Sequence, residues 1–97
     1  ETMDMYILDG HTPVICSGPI EWAERFEPAG RRVAHTENDE VRVSTVFLGI
    51  DHAWGNSRPM LFETMVFGGD HDGDMRRYST WDEAADGHLD VCKLIGV

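Results

Sequence analysis

Lysine is almost missing from this chain. Lys93 is the single one, and 8 Lys and Arg residues stand against 18 Asp and Glu, a net charge of −10. A phosphate backbone is gripped by clustered cations, so nucleic acid is not expected as a partner. The imbalance suits a basic protein partner, a metal or a neutral ligand, and it also serves simply to keep a surface soluble. Cysteine is scarce. Cys16 and Cys92 are the 2 present, far apart and without metal-ligand spacing. They read as buried free thiols that pack as small hydrophobes, and no secretory signal supports a disulfide. No apolar run approaches the roughly 18 residues of a membrane helix. The N-terminus lacks the basic and apolar regions of a signal peptide. A soluble, intracellular protein without membrane contact is expected.

Catalytic signatures are absent too. There is no P-loop, GxGxxG, HExxH, paired CxxC or GxSxG, and Ser44 and Ser79 have no nucleophile context. Whether the chain is an enzyme stays open, and no cofactor or metal is assigned.

The 97 residues, of which 41% are hydrophobic, suit one domain over positions 1–97 with a modest core. Residues 5–8 read as a short strand ended by Asp9-Gly10, and residues 12–18 as a loop broken by Pro13. A helix starts at Pro19, whose fixed φ suits a first helical position. Ile20, Ala23 and Phe26 give it an apolar face, and Pro28 and Gly30 end it. Positions 32–37, 41–50 and 60–67 read as strands, the last two with clear alternation. Residues 68–75, GGDHDGDM, form a polar loop. Thr80 and Glu83 have capping-box spacing and open a helix from about 81 to 94. Its expected apolar stripe is Trp81, Ala84, Ala85, His88, Leu89, Cys92 and Ile95. Lys93 suits its negative end and Gly96 its stop. Gly87 inside it costs about 1 kcal/mol relative to Ala, which close packing against a sheet would explain.

The order is β-α-β-β-β-α. It predicts an α+β fold, an antiparallel three- to four-stranded sheet with two helices packed on one face. The α-β-β-β-α part is similar in order to double-stranded RNA-binding domains, whose activity the acidic balance opposes.

Candidate chemistry concentrates around residues 41–69. Glu63 sits inside an apolar strand, where a charge is costly unless paired or bonded. With the hairpin loop centred near Gly55 it falls opposite Phe47. It reads either as a base or ligand-binding carboxylate, or as the partner of an Arg such as Arg77. Asp51 and His52, at a strand end, suit metal binding or proton transfer, or a backbone-bonded loop. Trp54 in the same loop reads as a contact residue or as sheet-edge packing. Arg77 and Tyr78, beside Arg76, precede the last helix; the arginines read first as paired with the Asp-rich loop, and otherwise as holding an anion near the helix N-terminus. His88 on the apolar stripe reads first as a satisfied core histidine. Asp70-His71-Asp72-Gly73-Asp74 lacks the EF-hand pattern, since Trp81 stands where a ligating Glu is needed, and reads as a polar turn.

The runs VSTVFLGIDHAWG, PMLFETMVFGG and RRYSTWDEAADGH, with YILDGHTPV and EWAERFE ahead of them, resemble a group of small uncharacterised proteins encoded in bacteriophage and prophage genomes. The resemblance covers nearly the whole chain. It implies a phage accessory protein in the host bacterial cytoplasm, and it carries no activity, fold or catalytic residue with it. The expected function is non-catalytic binding of a basic host protein or a small ligand. The alternatives are a small, metal-assisted hydrolase or nuclease using His52, Glu63 and His88, and a minor virion or assembly protein. Convergence of those three side chains in a cleft favours the enzyme; dispersal favours a protein partner.

Overall fold

Alternation sets the sheet. In strand β4 (Arg42–Phe47) Val43, Thr45 and Phe47 are buried, and in β5 (Phe62–Phe67) so are Phe62, Thr64 and Val66. The antiparallel register pairs like with like: Val43 with Val66, Thr45 with Thr64, Phe47 with Phe62. The computed structural model describes residues 5–16, 18–25, 30–51 and 58–97. Within them β3 (Arg32–Glu37), β4, β5 and β6 (Met75–Tyr78) form a 4-stranded sheet in that spatial order, every pair antiparallel.

The α+β class and the antiparallel meander are as the sequence predicts, with two strands added. Residues 12–15, read as a loop, form β2 (Thr12–Ile15), which pairs with β1 (Tyr6–Asp9) in a 2-stranded sheet. Gly10 supplies a φ of 63°, which the first central position of a two-residue hairpin turn demands. Pro13 is tolerated because β2 is an edge. The second addition is β6, where Arg76 and Arg77 pair across from Thr64 and Glu63.

Helix α2 (Trp81–Ile95) covers the buried face of the sheet, touching all four strands. Both helices were expected there; α1 (Pro19–Arg25) instead makes its contacts with β1. Thr80 is the N-cap of α2, its Oγ1 accepting from Glu83 N at 3.1 Å. Gly96 ends the helix in the left-handed region, with φ 82°, as a C-terminal glycine does. The stripe expected on α2 is shifted. Ala84, Gly87, His88, Val91 and Cys92 are buried, while Leu89 is 63% exposed. Leu89 lies one residue beyond His88, about 100° around the helix, and so turns off the buried face.

The core has layers. Val43, Val66, Val91 and Cys92 form one apolar cluster, and Phe47, Leu61, Phe62 and Ala84 another. Tyr6 and Leu8 of the hairpin pack on the second cluster. His11 at the hairpin tip stacks on Trp81, with ring centroids 3.7 Å apart. Between the clusters lies a stratum of buried polar side chains: Thr45, Thr64 and His88. Cys16 and Cys92 are both buried and free, as expected.

Candidate functional site

The polar stratum is one connected chain of hydrogen bonds. His88 Nδ1 meets Thr45 Oγ1 at 2.7 Å, and Thr45 Oγ1 meets Thr64 Oγ1 at 2.6 Å. Tyr78 Oη donates to Thr64 Oγ1 at 3.1 Å, and His88 Nε2 meets Thr36 Oγ1 at 2.9 Å. Strands β3, β4, β5 and β6 and helix α2 each contribute one member.

Proton counting fixes the direction of this chain. Tyr78 donates to Thr64. If Thr64 donates to Thr45, and Thr45 to His88 Nδ1, every buried hydroxyl proton has an acceptor. His88 then carries its proton on Nε2 and donates it to the half-buried Thr36. The opposite tautomer makes Thr64 accept from both Tyr78 and Thr45. The Thr64 proton would then be unpaired in a site 1% exposed, at a cost of about 1–3 kcal/mol. The structure therefore favours neutral His88 with Nε2 protonated. Burial pushes its pKa below the usual histidine value, and the charge of His35 lowers it further. His35 sits across the sheet, paired with Ser44 on the face away from α2.

Gly87 belongs to the same construction. A Cβ there would overlap the Tyr78 ring and hydroxyl. The glycine lets the phenol slide under α2 and reach Thr64. Close packing against the sheet was the expected reason for Gly87, and the packing partner is Tyr78.

Glu63 lies on the other face of the sheet. The expected register set it opposite Phe47; its partners across the ladder are Val46 and Arg77. The correction has a physical cause, because a one-residue slip would exchange the two faces of β5 and bury Glu63 in place of Phe62 or Thr64. Arg77 Nε donates to Glu63 Oε2 at 3.1 Å, with side-chain exposures of 34% and 16%. Neighbours on this face include the half-buried Ser44, Val46 and Met65. Arg42 also lies there, stacking over the Phe67 ring at 4.3 Å.

Asp51 closes the base of the β4–β5 connection, its Oδ1 accepting from Met60 N at 2.9 Å. His52 and Trp54 lie outside the described residues. Glu83 at the start of α2 receives Arg58 at 3.0 and 3.4 Å and the Thr80 hydroxyl at 3.2 Å. The Arg58 hydrogen bond is the largest cause holding its carboxyl below the usual carboxylate range. The acidic loop is a turn fastened by its own side chains. Asp72 Oδ1 accepts from Gly68 N at 2.7 Å, and Asp74 Oδ2 meets His71 Nδ1 at 2.9 Å. Among the described residues no three His, Cys, Asp or Glu side chains gather as a metal site, and no helix is long and apolar enough to cross a membrane.

Of the candidate residues, the structure thus joins Glu63 to Arg77, and Tyr78 to His88 through two threonines. It sets Glu63 and His88 on opposite faces of the sheet. The members that sequence reasoning missed are Thr36, Thr45 and Thr64. Their signal was two threonines at core-facing positions of apolar strands, each needing a partner once buried. No protein-family model matches the chain, and no curated protein or solved structure matches it.

Proposed function

We propose that this chain is a non-catalytic binding protein that docks a basic protein partner on the outer face of α2. The observation that carries this is a surface pattern. Asp82, Asp86 and Asp90 recur every fourth residue, all exposed, and Leu89 (63% exposed) stands beside them. Like charges four apart oppose a helix by a few tenths of a kcal/mol per pair, so this stripe works against the element that bears it. Asp86, Leu89 and Asp90 line one shallow groove that ends at Lys93 and Val97. An apolar side chain beside three exposed aspartates suits a partner of opposite charge, with the leucine as anchor.

The resemblance to phage and prophage proteins supports a role as an accessory protein in the bacterial cytoplasm, with a host protein as the partner. The hydrolase alternative built on His52, Glu63 and His88 loses support, since Glu63 and His88 face apart and each is held by a structural partner. Affinity capture from bacterial lysate, wild type beside Asp86→Lys/Asp90→Lys, tests the proposal. Recovery of a basic protein by the wild type, weakened by salt as surface electrostatics are and lost in the variant, is expected. Equal recovery by both proteins, or co-sedimentation of the wild type with virions, would count against it.

A further inference from the structure

The cleft between β6 and the C-terminal half of α2 has features of a small-molecule site. Its volume is about 200 Å³, and it is lined by Thr64, Val66, Met75, Arg76, Val91 and Leu94, among others. It arises from the layering of the core. Tyr78 and Gly87 bring β6 close to α2 at one end. Its walls mix apolar and polar side chains, with Thr64, Asp74 and Arg76 beside Val66, Val91, Leu94 and Ile95. Val66 and Val91 are buried, while Leu94 (60% exposed) stands at the mouth.

Arg76 gives the cleft its chemistry. It stands opposite Thr64 in the register, so it rises on the face that α2 covers. Arg77 next to it turns to the other face and pairs with Glu63. Among the described residues Arg76 has no hydrogen-bond or ion-pair partner. The other charged side chain lining the cleft, Asp74, has its Oδ2 2.9 Å from His71 Nδ1. The apolar patch of Val66, Val91, Leu94 and Ile95 with one guanidinium at the rim suits a ligand with an apolar body and an anionic head. The small volume, below the roughly 300–1,000 Å³ of drug-sized sites, restricts the body to a short alkyl chain or one ring.

We propose that this cleft binds a short-chain alkyl carboxylate, its tail against Val66, Val91 and Leu94 and its carboxylate on Arg76. The guanidinium donates to the carboxylate oxygens in the paired geometry that Arg and carboxylate share. This site is separate from the acidic outer face of α2 and does not rest on the docking proposed there.

The probe is octanoate, titrated into ¹⁵N-labelled protein and followed by amide shifts, with octylammonium as the charge-reversed comparator. Saturable shifts at Thr64, Arg76, Val91 and Leu94 are expected with octanoate and not with octylammonium. Arg76→Gln should weaken octanoate about tenfold, the worth of one charge-assisted hydrogen bond. Arg32→Gln, the same charge change on the far edge strand, should leave affinity unchanged. Leu94→Trp, made at an exposed position, should weaken binding by filling the mouth. Absence of saturable shifts, equal binding of octylammonium, or octanoate affinity unchanged in both Arg76→Gln and Leu94→Trp would overturn the proposal.

Discussion

His88 Nδ1 and Thr45 Oγ1 lie 2.7 Å apart in a contact that joins α2 to the centre of the sheet, both residues essentially closed to solvent. The neutral imidazole accepts there, and protonation would turn Thr45 to donate to Thr64 and leave the Thr64 proton without an acceptor. The folded pKa of His88 is lowered, chiefly by burial, so the unfolded chain takes up this proton first. Stability from this group is complete above about pH 6.5. It falls as the pH drops below that value, at up to about 1.4 kcal/mol per pH unit, and the loss ends below the folded pKa. Urea denaturation at pH 7.5, 6.5 and 5.5 should show wild type losing more than His88→Gln. Equal losses would remove His88 as the cause.

Gly87→Ala sets two effects in opposition. The substitution raises helix propensity by about 1 kcal/mol, but its methyl overlaps the Tyr78 ring. That ring is held by its hydrogen bond to Thr64, which would be lost if the ring moved aside. Overpacking of this kind costs about 1–3 kcal/mol, so a net loss is expected. In the Tyr78→Leu background the sign should reverse, with alanine stabilising. A stabilised Gly87→Ala single variant in chemical denaturation would contradict the close approach.

Thr80→Ala should destabilise the fold by roughly 0.5–2 kcal/mol. The hydroxyl accepts from Glu83 N and donates to the Glu83 carboxylate, and both contacts disappear. Thr80→Ser should retain most of the stability. The denaturation midpoint reads this directly, and an unchanged midpoint in the alanine variant would show that another group caps α2.

Much of the architecture is legible in the sequence, for reasons that differ by element. β4 and β5 announce themselves because one face of each is buried and the period of two is unbroken from Val41 to Phe47 and from Phe62 to Phe67. Thr80, Glu83 and Gly96 mark the ends of α2 because capping is local chemistry. β2 and β6 are hidden because edge strands are short and bear breakers and charges, Pro13 in one and Arg76-Arg77 in the other. The pairing of β4 with β5 was misjudged by one residue because loop length alone does not fix register; the match of buried residues does. The hydroxyl chain was illegible for the same reason, since Thr45 and Thr64 become neighbours only in that register. Arg77 as a partner for Glu63 was readable from charge alone. His52 and Trp54 lie outside the described residues.

The central claim is that the buried and half-buried polar groups serve the fold while the surface of α2 serves binding. Glu63→Gln, assayed for capture of the basic partner and for melting temperature, tests it most directly. Glu63 and Arg77 form a half-buried pair, so breaking it should cost about 1–2 kcal/mol, between the values for exposed and buried pairs. The predicted result is a lowered melting temperature with capture at wild-type level. An unchanged melting temperature with capture abolished would contradict the claim and make Glu63 a binding residue.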